Sequence, residues 1–116
     1  MAKFGAAVVR KEPGGGALST DPADPNVTQP SENDTHTSSV DDPAETIYGM
    51  PVDGTTITVQ LWLWEPMVGK WFRMGTATAC TSLDLTSLGA LPRGAKAYFQ
   101  ITANTGVTQL LIGIGR

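Results

Sequence analysis

The chain has 116 residues, a formal net charge of −3 and one cysteine. That length allows a single domain, and the lone Cys80 excludes an internal disulfide framework and any cysteine-based zinc site of ordinary spacing. Few basic residues are present and none are clustered, which argues against the phosphate neutralisation that nucleic-acid binding needs.

The charge is unevenly placed. Between Pro13 and Ala44 stand Asp21, Asp24, Glu32, Asp34, Asp41 and Asp42 with no Lys or Arg, whereas Lys70, Arg73, Arg93, Lys96 and Arg116 outnumber Asp53, Glu65 and Asp84 beyond Ile47. The composition therefore divides the chain into an acidic Pro/Gly-rich arm over residues 1–46 and a module over 47–116. A module of roughly 70 residues has a core that yields only a few kcal/mol, which favours help from a partner chain. The apolar run before Arg10 and Lys11 is too short for a signal-peptide core or a membrane span, so no membrane is expected as a partner, and assembly in the cytoplasm is. The sequons at Asn26 and Asn33 are read as chance matches in a Thr-rich stretch.

In chain order, residues 4–9 alternate weakly and predict a short strand. Pro13-Gly-Gly-Gly16 interrupts regular structure. It lacks the Lys-Ser/Thr ending of a phosphate loop and reads as a flexible joint. The two Asp-Pro steps of Asp21-Pro-Ala-Asp-Pro25 favour extended or turn backbone, and through Thr46 the only apolar residues of note are Leu18, Val27 and Val40. Such a stretch buries too little apolar surface to order by itself, so an extended arm lying on a partner is expected.

From residue 55 the period becomes two: Ile57, Val59, Leu61 and Leu63 on one face, Thr58, Gln60, Trp62 and Trp64 on the other. Pro66 and Gly69 supply a hairpin loop, 71–79 reads as the returning strand, and Gly75 marks a bulge. Leu83, Leu85 and Leu88 nearly alternate, with at most a short helical turn at 85–88, and 89–94 is turn-rich. Residues 95–103 and 107–114 are strands joined at Asn104-Thr-Gly106. Short strands and short turns predict an all-β chain, a small antiparallel β-sandwich or jelly-roll-like module behind the extended N-terminal arm.

No chemistry is legible. His36, the only histidine, sits between two threonines as an exposed loop residue with no positioned nucleophile, and Asp34, Asp41, Asp42 and Glu45 lack the spacing of a calcium loop. Asp53, Glu65 and Asp84 are dispersed, and Cys80 reads as a structural thiol. No catalytic residue, metal or cofactor is expected. Trp62, Trp64 and Trp71 form the one notable group, either cross-strand core aromatics or an exposed platform for a sugar or protein partner. With apolar residues on both faces of this strand, one face must meet something other than water: a second sheet, another subunit or a ligand.

The acidic arm, the Gln60-Leu-Trp-Leu-Trp64 strand, the Gly69-Lys-Trp-Phe-Arg73 return and the Ile101-Thr-Ala-Asn-Thr-Gly106 turn into an apolar last strand together resemble small virion proteins of tailed bacteriophages, capsid cement or decoration proteins most of all. That resemblance implies a β-sandwich or jelly-roll module, trimeric association, and arms that bridge capsomers on the capsid surface. The partners it implies are the major capsid protein and other copies of this chain. Phe4, Val8, Leu18, Val27 and Val40 of the arm and Trp62, Trp64 and Trp71 of the module are the candidate contact residues. A carbohydrate- or receptor-binding module of a head or tail fibre shares these features.

Overall fold

The computed structural model describes residues 4–41 and 44–115; Asp42 and Arg116, counted above among the charges, lie outside them. Eight strands follow in order: β1 (Phe4–Lys11), β2 (Thr35–Thr37), β3 (Glu45–Pro51), β4 (Thr56–Glu65), β5 (Lys70–Thr81), β6 (Thr86–Leu91), β7 (Lys96–Thr105) and β8 (Gln109–Gly115). They form two four-stranded antiparallel sheets, β1-β8-β3-β6 and β2-β7-β4-β5, here called A and B. The described residues contain one 3-10 turn, Glu32–Asp34, and none at 85–88, where β6 begins. No helix among them is long and apolar enough to cross a membrane.

Alternation decides which face each strand turns inward. Ile57, Val59 and Leu61 of β4 and Ala97, Phe99 and Ile101 of β7 meet Ile47 of β3 and Leu110, Ile112 and Ile114 of β8 in one core between the sheets, a β-sandwich-like arrangement. The strand pairing has a simple rule: β1 pairs with β8, β2 with β7, β3 with β6 and β4 with β5. Two further ladders, β3·β8 and β4·β7, join these pairs into the sheets. The bulge expected at Gly75 is present. Val59 faces Thr78 while Leu61 faces Met74, so residues 75–77 bow out opposite Gln60, with Gly75 at φ 71°.

The boundary placed at 46/47 has no counterpart in the described structure. β1 lies in sheet A, β2 extends sheet B, and Val8 and Leu18, 4% and 5% exposed, belong to the main core. Segment 18–26 then docks on sheet B. The Leu18 amide donates to the carbonyl of Val107, just past β7, and the Asp21 amide to that of Ile101 on the β7 edge that the short β2 leaves open, both at 2.9 Å. Next the chain crosses the outer face of the sheet: the Gln100 side-chain amide donates to the Pro22 and Ala23 carbonyls at 2.7 and 3.1 Å. At the far edge Asn26 clasps β5, accepting from the Trp71 amide at 2.7 Å and donating to the Trp71 carbonyl at 3.0 Å. The acidic segment orders because it satisfies its polar groups on β7 and β5 and covers an apolar face that already needed covering, so it need not build a core of its own.

Candidate functional site

The outer face of sheet B presents Gln60, Trp62 and Trp64 from β4, Tyr98 and Gln100 from β7, and Trp71 and Arg73 from β5. Trp62, Trp71 and Tyr98 are buried in a second cluster with half-buried Trp64 against it, and Pro25 of the crossing segment is buried too. The rings meet edge to face, Trp64 to Trp71 at 5.3 Å and Trp71 to Tyr98 at 5.9 Å between centroids. At 5% and 4% exposure, Trp62 and Trp71 offer no open ring face, so the sugar-platform alternative fails for these two. Trp62 also spends its indole N–H on Gln100 Oε1 at 2.9 Å, while the buried Trp71 Nε1 has no acceptor among the described residues.

Arg10, which the sequence reading passed over, locks this face. From β1 its guanidinium grips both Asp21 carboxylate oxygens at 2.8 and 3.0 Å, donates to the Phe99 carbonyl at 3.2 Å and reaches Asp34 at 3.0 Å through Nε. Burial opposes the charge of Arg10, but Asp21 and Asp34 outweigh it and hold its pKa above the ordinary value. Burial, with Arg10 opposing and Asp21 reinforcing it, raises Asp34. Burial again, together with the Asp21 carboxylate, pushes the Tyr98 phenol far up. The bidentate geometry ties sheet A, the crossing segment and β7 to a single group.

Beside this lock lies a recess of about 290 Å3, lined by Thr20, Asp21, Gln60, Arg73, Gln100 and Thr102 among others. Arg73 is exposed, sits over the Trp62 ring at 5.1 Å and makes no ion pair among the described residues. A second, more apolar recess of about 200 Å3 lies at one end of the sandwich between Met50, Pro51, Val52, Leu83 and Leu85.

The remaining candidates scatter. Phe4, Val27 and Val40 are exposed, the Phe4 ring lying tilted against Tyr48 of sheet A at 5.7 Å between centroids. His36 is not an exposed loop residue: it lies half-buried on β2 and bonds the buried Glu45 at 2.8 Å, linking the two sheets. Among the described residues, no three His, Cys, Asp or Glu side chains converge as metal ligands. Cys80 is fully buried, and burial pushes its thiol up to about 11. No protein-family model, curated protein or solved structure matches this chain.

Proposed function

We propose that this chain is a non-enzymatic virion structural protein built as a single jelly roll, a cement or decoration module that binds the major capsid protein on the outer capsid surface, associates with its own copies and stabilises the head. The observation that carries this reading is the winding order. A chain whose first strand pairs with its last, second with seventh, third with sixth and fourth with fifth is a ribbon doubled back on itself. Rolled into two four-stranded sheets, such a ribbon is a jelly roll, an architecture that recurs in capsid proteins and lectins.

The outer face of sheet A supports the same reading and relocates the contact surface. Phe4, Val9, Tyr48, Met50 and Leu111 lie on it around Gly113 and Gly115, and the charge nearest them in register is Lys11 at the β1 end. A Cβ at Gly113 would stand 2.6 Å from both Phe4 and Met50, so these large side chains fold over the bare glycine backbone into one apolar sheet. Patches of this kind mark protein contact surfaces. Contact is then made by the face of sheet A and not by an extended arm, because β1, β2 and segment 18–26 are paired within the fold.

Native mass spectrometry of the full chain, alone and with capsids assembled from the major capsid protein of its particle, tests the proposal. The expected result is an oligomer that binds capsids, and a Phe4→Glu/Val9→Glu variant that keeps the melting midpoint but is monomeric and unbound. A wild-type monomer that leaves capsids bare overturns it.

A further inference from the structure

We propose that the recess on the outer face of sheet B binds a carboxylated sugar, a function additional to the capsid role and independent of it. Most polar groups of the recess are already committed. Asp21 receives Arg10 on both oxygens and the Ile101 amide at 2.8 Å on one of them. Gln100 accepts from Trp62 and donates to the Pro22 and Ala23 carbonyls. Both Asp21 oxygens and both Gln100 amide hydrogens are thus engaged within the fold.

Gln60, Arg73 and Thr102 keep bonding capacity beside the recess. Gln60 donates its amide to the carbonyls of Leu61, Met74 and Gly75 at 2.9, 3.4 and 3.2 Å, the last of these inside the bulge and opposite no β4 residue. With three acceptors around one end of the amide, that end is the nitrogen, and Oε1 is an acceptor with no donor among the described residues. The Arg73 guanidinium carbon lies over the Trp62 ring at 5.1 Å, and Arg73 makes no ion pair among the described residues, so its N–H groups stay open. Thr102 donates to the Thr58 carbonyl at 3.4 Å and keeps its lone pairs, a second acceptor on the same wall.

A planar donor fork matches a carboxylate, and acceptors match hydroxyl groups, so the complementary ligand carries both. Arg10 offsets Asp21, which leaves Arg73 as the uncompensated charge of the recess and removes the repulsion an anion would otherwise meet. A cavity of about 290 Å3 lies at the lower end of ligand-pocket sizes, suited to one sugar ring.

The test is a titration of the 15N-labelled full chain with D-glucuronate, D-glucose, acetate and inorganic phosphate, followed at the Arg73 Nε–H and the Gln60 side-chain amide. Glucuronate is expected to give saturable shifts at both groups, with the other three binding at least about ten-fold more weakly, the loss expected when one charge-assisted contact goes. Arg73→Gln should weaken glucuronate by about ten-fold or more, and Arg73→Lys should fail to restore it because the fork is lost. Both variants should keep the wild-type melting midpoint, since Arg73 is exposed. Equal binding of glucose, acetate or phosphate, undiminished binding by Arg73→Gln, or no saturable shift at the solubility limit of glucuronate overturns the assignment.

Discussion

Replacing Asn26 with alanine separates a docked N-terminal segment from a free arm. Asn26 makes two hydrogen bonds to the backbone of Trp71, at 2.7 and 3.0 Å, and both are lost. Each is worth about 1 kcal/mol net, so the cost should be about 2 kcal/mol. At ~2.1 cal/mol/K of unfolding entropy per residue, the 116-residue chain has about 0.24 kcal/mol/K, which converts this loss into a melting point about 8 °C lower. With a urea m-value of about 1.5 kcal/mol/M, the unfolding midpoint falls by roughly 1.3 M. Urea unfolding followed by tryptophan fluorescence is the assay, because Trp62 and Trp71 are buried beneath the segment and report its release. Thr28→Ala is the control: that exposed side chain makes no hydrogen bond among the described residues and should shift stability by under about 0.5 kcal/mol. Equal midpoints for the two variants would refute the docked segment and return residues 18–34 to the status of an arm.

Other consequences are as direct. Leu18→Ala should cost about 3 kcal/mol in urea unfolding, because Leu18 is a core residue, whereas an arm residue would cost nothing in the isolated chain. Gly54→Ala should cost more than about 2 kcal/mol, since Gly54 has φ 75° and an added Cβ would lie 2.5 Å from the backbone of Gly106 and Val107, too close to be relieved by a rotamer change. Asp53 accepts from both the hydroxyl and the amide of Thr108, which hold its carboxyl below the usual range. A lowered folded pKa gives stability that is present above the unfolded value and lost as pH falls through the folded one, so Asp53→Asn should flatten the loss of melting temperature on acidification below about pH 4. Cys80, with its thiol pushed up to about 11, should resist a disulfide reagent at neutral pH in the folded chain and react at once in denaturant.

What could be read from the sequence follows the physics of each element. β4, β7 and β8 were legible because their inward positions are apolar at period two, and β5 because the Pro66 and Gly69 loop returns the chain beside β4, although its own inward face includes Thr78 and is shifted by the bulge. β3 was not, because its inward positions are Glu45, Ile47, Gly49 and Pro51. Glu45 can face inward because His36, nine residues away on the other sheet, bonds it; position 49 has room only for glycine, because a Cβ there would meet the Cys80 sulfur at 2.6 Å. Neither reason has a local signature. β2, only Thr35–Thr37, is too short for any period to register. The docked segment escaped notice for a different reason: its bonds run from Asp21, Asn26, Gln100 and Asn104 side chains to backbone, a pattern without periodicity. Composition judged that segment by the core it could build alone, while its order comes from a surface elsewhere in the chain. The demand for a cover on the Trp62 and Trp64 face was legible, and so was an arm in need of a partner; each was the answer to the other.

That internal solution also sorts the two outer faces of the sandwich. Sheet B is covered by its own chain and fixed by Arg10, Asp21, Asn26 and Gln100, so it has little apolar surface left for a large partner, and what stays open there is a polar recess with Arg73 and Gln60 uncommitted. Sheet A has no such cover among the described residues, and its outer face is apolar from Phe4 to Met50. Outer faces of the two sheets point in opposite directions, so a module seated on a particle through sheet A would turn the sheet B recess outward. The surface best suited to protein contact and the surface best suited to a small charged ligand can then be used at once, and sheet A variants such as Phe4→Glu/Val9→Glu should leave glucuronate binding intact while they abolish assembly.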